Sequence, residues 1–289
     1  MRVESRKVKR IATIGFFDGV HKGHQYLFEQ LDLFGAERGL QPLIITFSEH
    51  PRAVLQSDYV PQLLTTASER RALLSTYGEV EMLPFASIQA LTAAEFMQRL
   101  AAQYEVAVLL MGYDHRFGSD RLKHPQDYRR IGEQYGINVL TMNEFMEGEW
   151  HVSSTEIRSA LESGNIAIAN ELLGRPYALQ GKVIHGKGLG RQLGFPTANI
   201  MAEQYKLLPQ SGVYEARVNT PTMDDAPAFV NIDVNGLIEA HIPSFKGDLY
   251  DQTLEIRFLR FIREERRFAS IAALREQIKA DVDSIRRRV

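Results

Sequence analysis

The rhythm of apolar and polar positions changes near Leu173-Gly174-Arg175-Pro176. Before that point, short unbroken apolar runs alternate with segments at helical spacing. Ile11-Ala12-Thr13-Ile14, Pro42 to Phe47, Val80 to Phe85, Val106 to Met111 and Gly136 to Leu140 read as strands. Val106 to Met111 is the clearest, an unbroken run that stops at Gly112. Between them, Gln25 to Leu31 opens one helix, Ser68 to Leu74 starts a second and Gln126 to Tyr135 forms a further one. Thr92 and Glu95 match a capping box, followed by Phe96, Leu100 and Tyr104 at helical spacing. Such alternation predicts an α/β domain whose parallel sheet is covered on both faces.

After that point the strands come close together. Tyr177 to Ile184, Gly212 to Asn219, Ala228 to Asp233, Leu237 to Ile242 and Thr253 to Phe261 alternate, with no long helix between them. Turn residues separate them, among them Pro209, Pro221, Gly247 and Asn235-Gly236, the last expected to form a two-residue hairpin turn. This predicts an antiparallel barrel. Ile271, Leu274, Ile278, Val282 and Ile285 then predict one amphipathic helix against it. The expected domains are residues 1–175 and 176–289.

Composition changes this picture little. The 289 residues are 44% hydrophobic and 24% charged, with a formal net charge of −2. That balance points away from a nucleic-acid binder. There is no cysteine, so disulfides, thiolate metal sites and cysteine nucleophiles are excluded. No stretch is long and apolar enough to span a bilayer. A cytoplasmic protein is the expectation.

Candidate chemistry concentrates in three turns. The first follows the opening strand, in Gly15-Phe16-Phe17-Asp18-Gly19-Val20-His21-Lys22-Gly23-His24. A glycine-bearing turn at a helix N-terminus suits an anion, and both histidines can face it. An ordinary surface turn is the other reading. The second is Gly112-Tyr113-Asp114-His115-Arg116-Phe117-Gly118, after the clearest strand and so on the same rim of the sheet. The third is His151-Val152-Ser153-Ser154-Thr155-Glu156-Ile157-Arg158, which is either a helix cap or a phosphate clamp.

The second domain has its own candidate in Gly186-Lys187-Gly188-Leu189-Gly190-Arg191, followed by Phe195-Pro196-Thr197-Ala198-Asn199. Alternate glycines form either a phosphate cradle or a flexible linker. Thr197 and Asn199 share one side of an extended segment and suit a nucleotide-bound Mg²⁺.

The first and third turns, with the Gly112–Gly118 loop between them, resemble the adenylyltransferase half of bacterial bifunctional riboflavin kinase/FAD synthetases. The glycine-rich stretch resembles the riboflavin kinase motif of the same family. The resemblance implies a Rossmann-like nucleotidyltransferase domain followed by a kinase barrel. It implies transfer of the γ-phosphoryl of ATP to riboflavin, giving FMN, and then of AMP to FMN, giving FAD and pyrophosphate. His21, His24 and Arg158 would act on the ATP phosphates, with Gly15, Phe17, Asp18, Gly19, Gly23, Ser154 and Thr155 lining their site. Gly186, Gly188, Gly190 and Arg191 would hold the second ATP, Thr197 and Asn199 its Mg²⁺, and Glu239 would be the kinase base. Asp114, Arg116 and Asn231 would contact flavin. Flavin-requiring apoproteins would accept the product.

The family usually carries Asn-Ile-Gly-x-x-Pro-Thr and a longer hairpin before the glutamate. Here Asn231-Ile232 is present, the rest of that motif is absent and the hairpin is short. Phe16 stands where asparagine is common, and His115 where phenylalanine is common. Two further readings therefore stay open: an adenylyltransferase with a weak or inactive kinase, and a flavin- or nucleotide-binding regulator without turnover.

Overall fold

The computed structural model describes residues 8–286 except 148, 149, 187 and 267. The chain divides into two compact units, Met1–Val152 and Ser153–Val289.

In the first unit the apolar runs become β1 (Arg10–Ile14), β2 (Gln41–Phe47), β3 (Glu79–Leu83), β4 (Val106–Met111) and β5 (Asn138–Thr141). They form one parallel sheet in the order β3-β2-β1-β4-β5. Side chains alternate across it, so each strand feeds two cores. Ala12, Leu43, Ile45 and Leu109 meet Phe96, Met97 and Leu100 of α4 (Ala93–Tyr104) and Tyr128 of α5 (Pro125–Gln134). Ile11, Ile44, Val108 and Leu110 meet Leu27, Phe28 and Leu31 of α1 (Lys22–Arg38) and Leu74 of α3 (Ala67–Leu74). The expected box on Thr92 and Glu95 forms, and a second one caps α3 through Thr66 and Glu69. A short α2 (Pro51–Leu55) follows β2, and β6 (Met146–Glu147) pairs with β7 (Trp150–His151). Strand order reverses between β1 and β4, and ligands of such sheets bind beyond the carboxyl ends at that reversal. The His21–His24 turn follows β1, and the Gly112–Gly118 loop follows β4.

The second unit begins with two helices, α6 (Ser154–Glu162) and α7 (Ile166–Leu173). α7 is bound to the barrel through Asn170, which donates to the Phe258 carbonyl at 2.9 Å and accepts from the Tyr177 amide at 2.7 Å. The barrel is closed, in the order β10-β11-β12-β9-β8-β13. Its strands are β8 (Tyr177–Ile184), β9 (Thr197–Ala202), β10 (Gly212–Thr220), β11 (Met223–Ile232), β12 (Ile238–His241) and β13 (Thr253–Arg263), with a short α8 (Leu189–Leu193) before β9. The terminal helix α9 (Ile271–Arg286) is present as expected. Arg263 of β13 grips Asp281 of α9 through both carboxylate oxygens, the closest pair at 2.7 Å, with both side chains nearly buried.

One expectation is corrected. The β11–β12 hairpin turns through three residues, not two. Asp233 and Leu237 are closed by an amide-to-carbonyl bond of 3.0 Å, and Gly236 has φ 80°. The cause is the Asp233 side chain, which accepts the amides of Asn235 and Leu237 at 2.8 Å each and so starts the turn one residue early. Gly236 then occupies the left-handed position of the bulged three-residue loop.

Candidate active sites

The first site is built by a chain that leaves β1 under constraint. Phe17 and Val20, neither of them glycine, hold φ of 54° and 44°, on either side of Gly19 at 79°. His21 is then the N-cap of α1, and its carbonyl accepts the amides of His24 and Gln25 at 2.8 and 2.9 Å. The imidazoles of His21 and His24 stack with centroids 3.6 Å apart and planes 20° from parallel. Phe17 meets His24 edge-on at 5.2 Å and Phe28 at 5.0 Å. Glycine leaves little spare room at two positions nearby. A Cβ at Gly15 would lie 2.7 Å from the Phe17 ring, and one at Gly23 would lie 3.3 Å from the His21 ring.

Asp18 turns inward. Its carboxylate accepts the Leu64 and Thr65 amides at 3.0 and 2.9 Å and the Thr65 hydroxyl at 3.0 Å. The Gly19 amide donates to the same hydroxyl at 3.0 Å. These two expected phosphate contacts thus have polar groups engaged inside the protein. In the neighbouring loop, Asp114 and Arg116 are exposed. His115 buries its Nε2 without a hydrogen-bond partner, and desolvation pushes its pKa down to about 4. On α6 the cap is Ser153, whose hydroxyl accepts the Glu156 amide at 3.2 Å. Ser154 and Thr155 are the first helical residues, and Arg158 follows one turn later.

The second site is a grid on three barrel strands. Asn199 of β9 faces Glu239 of β12, which faces Asn231 of β11. One step along, Thr197 faces His241, which faces Phe229. Directly opposed residues project to the same face of a sheet, so all six side chains share one side. His241 binds the Pro196 carbonyl through Nδ1 at 2.8 Å, fixing the bend into β9. Glu239 accepts the Thr197 hydroxyl, but burial, with the Asp233 charge added, holds its pKa above the usual carboxylate value.

The glycine-rich stretch closes over this grid. A Cβ at Gly186 would lie 2.2 Å from the Asn199 amide nitrogen, and one at Gly190 would lie 2.9 Å from the Thr197 hydroxyl. Gly188 is left-handed at φ 68° and starts α8, which carries the exposed Arg191. Two cavities meet at Thr197. The larger, about 310 Å³, lies between Phe229, Asn231 and Glu239 and the α9 residues Leu274 and Ile278. The smaller, about 90 Å³, is lined by Arg191, Pro196, Phe245 and Tyr250.

Two family descriptions match the chain, FAD synthetase over residues 3–156 and riboflavin kinase over residues 173–289. The bifunctional riboflavin kinase/FMN adenylyltransferase of Escherichia coli K12 is 35% identical over 94% of this chain and 90% of its own. The protein of that name from Pseudomonas fluorescens is 35% identical over 96% and 92%. The chain belongs to this family. As a member it carries an FAD synthetase and a riboflavin kinase in one polypeptide. A crystal structure described as a macrolide-efflux protein from Streptococcus pneumoniae has the same fold, with a TM-score of 0.87, 30% identity and coverage of 96% of this chain and 94% of that one. Among the described residues, no helix is long and apolar enough to cross a membrane.

Several residues of these sites carry little local signal in the sequence. Thr65 is bonded to Asp18 and Arg70 lies over the Phe16 ring, but in sequence they belong to an ordinary helix and the residue before its cap. His241 and Phe229 reach the barrel grid only through strand register, and the Arg263–Asp281 pair lines its cavity only because α9 packs there. For His241 a signal existed, since it lies two residues from Glu239 on a strand and so on the same face.

Proposed function

We propose that the barrel grid phosphorylates riboflavin and that the His21–His24 turn adenylylates the resulting FMN. The kinase assignment rests on Thr197, which lines both cavities. The larger, flanked by aromatic and aliphatic side chains, suits the flavin. The smaller, with Arg191 at its edge, suits the phosphate end of ATP. Glu239 is the base that takes the 5′-hydroxyl proton as that oxygen attacks the γ-phosphorus and ADP leaves. Its raised pKa makes it a stronger base than an exposed carboxylate.

Thr197 and Asn199 fit Mg²⁺, since both offer oxygen, Asn199 is nearly buried and the two glycines leave space beside them. Among the described residues no cluster of three acidic or histidine groups competes for a metal, in keeping with an ion held mainly by nucleotide phosphates. When bound, it spreads the negative charge of the γ-phosphate.

For adenylyl transfer no protein nucleophile is needed, because the FMN phosphate attacks the α-phosphorus. His21 and His24 stabilise the charge that develops, with Gly15, Phe17 and Gly23 leaving room around them. Asp18 and Gly19 hold the turn. Ser154, Thr155 and Arg158 take the departing pyrophosphate. Asp114 and Arg116 take flavin in this half, and Asn231 in the kinase half. The motifs assign adenylylation to residues 1–175 and phosphorylation to 176–289. The ATP requirement and the lack of cysteine favour the cytoplasm, where apoproteins receive the FAD.

The test is to incubate the full chain with riboflavin, ATP and Mg²⁺ and separate the flavins. FMN followed by FAD supports both roles. FAD from supplied FMN, with riboflavin untouched, would leave only the adenylyltransferase.

A further inference from the structure

We infer that Arg70, far from the histidine turn in sequence, is a positioning residue for adenylyl transfer, setting that turn through Phe16 and the Asp18–Thr65 latch. The inference rests on the reading of the turn given above. Arg70 is fully buried on α3, an unusual place for a guanidinium. It donates to the Phe47 carbonyl at 2.6 Å and to the Thr65 carbonyl at 3.3 Å. Its guanidinium carbon sits 4.1 Å from the centre of the Phe16 ring. One side chain thus touches the end of β2, the residue before the turn and the residue that clamps Asp18.

The charge is retained despite burial. Desolvation lowers the Arg70 pKa to about 10, with Asp18 acting in the opposite direction, so the group is a cation at neutral pH. The turn needs such a support. Phe17 and Val20 hold left-handed backbone that non-glycine residues adopt only when the surroundings over-determine it. The surroundings here are the Asp18–Leu64–Thr65 bonds on one side and the Thr46 hydroxyl, which donates to the Phe16 carbonyl at 3.1 Å, on the other. Arg70 joins the two sides, because Phe47 follows Thr46 and Thr65 belongs to the latch. Loss of its fork leaves the histidines attached but shifts them, and small misplacement of groups that act in the transition state lowers kcat.

The experiment uses the full chain with R70M, R70K and T65V, each assayed for FAD from FMN and, in the same sample, for FMN from riboflavin. R70M is expected to lower kcat for FAD formation by about 100-fold while the KM for FMN stays within about twofold. R70K recovers part of the rate, and T65V gives a weaker loss of the same kind. Riboflavin phosphorylation by the barrel unit stays at the wild-type rate, and the unchanged KM for FMN reports that the first unit is folded. A wild-type FAD rate in R70M, or a loss confined to KM, overturns the inference. If R70M does not fold, T65V and R70K decide, and wild-type kcat in both overturns it. His24→Ala serves as the control: FAD formation surviving there sinks the reading of the turn itself, whereas a dead H24A beside an active R70M sinks only the role of Arg70.

Discussion

Glu239 of β12 stands directly across from Asn199 of β9, and its carboxylate accepts the hydroxyl of Thr197, two residues before Asn199 on β9. The Thr197 proton is therefore committed to the base, which leaves the hydroxyl's lone pairs to a cation. On the proposed reading, the base and the metal-binding oxygen are held together by a single hydrogen bond.

Replacing Glu239 by glutamine should abolish FMN formation and leave adenylylation of supplied FMN intact. It should also stabilise the barrel. The folded pKa of Glu239 lies above its unfolded value, so the folded state binds more protons across that interval and loses stability as pH rises through it. Glutamine removes that loss. Thermal unfolding of E239Q and wild type should differ at pH 7 and converge in acid below both values. An unchanged kinase rate would remove Glu239 from its role.

Gly190→Ala tests the cradle. The new Cβ would meet the Phe195 carbonyl at 2.5 Å and the Thr197 hydroxyl at 2.9 Å, so the bend must shift. Phosphorylation of riboflavin should fall at least about tenfold, while FAD from supplied FMN is unaffected. Steady-state rates of the two half-reactions show the split, and equal loss of both would contradict it.

His24→Ala should let FMN accumulate from riboflavin while FAD formation falls by about 100-fold or more. Chromatography of the flavins over time gives the answer. Simultaneous loss of FMN formation would mean that the substitution acts on the whole protein.

His115→Phe addresses acid stability. The folded imidazole titrates near 4 and the unfolded one near 6.5, so between those values the unfolded state binds the extra proton and stability falls as pH drops. Phenylalanine removes this dependence along with a buried nitrogen that lacks a partner. The gain in melting temperature over wild type should be larger at pH 4.5 than at pH 7.5. Equal gains at both would locate the effect in packing alone.

The parallel sheet was legible because β2 and β4 are unbroken apolar runs bounded by glycine or helix signals, and both expected faces are covered. The barrel was legible from strand spacing. Strand β9 was less so, because Pro196 and the glycines before it read as turn, and only pairing with β8 and β12 extends it to Ala202. α7 was not anticipated, since Ile166 to Leu173 has little polar face of its own and is settled by packing on β13. The histidines and the glycines carry local signatures, whereas Glu239 is reached only through the family resemblance, since a lone glutamate on a strand announces nothing. Thr65 has no signature either, because its partner Asp18 lies 47 residues away and nothing near either residue announces the other.

The α6–α7 hairpin has a consequence for anyone who would dissect the gene. On the proposed reading, Ser154, Thr155 and Arg158 serve the adenylyltransferase, and the FAD synthetase match runs to residue 156. By packing, their helix belongs to the barrel's unit. A cut at residue 152 hands these residues to the kinase fragment, and a cut at 175 strips Ile166, Ala169, Leu172 and Leu173 from it, all buried in the intact chain. On the proposed reading, neither cut keeps each activity's residues with the core that packs them.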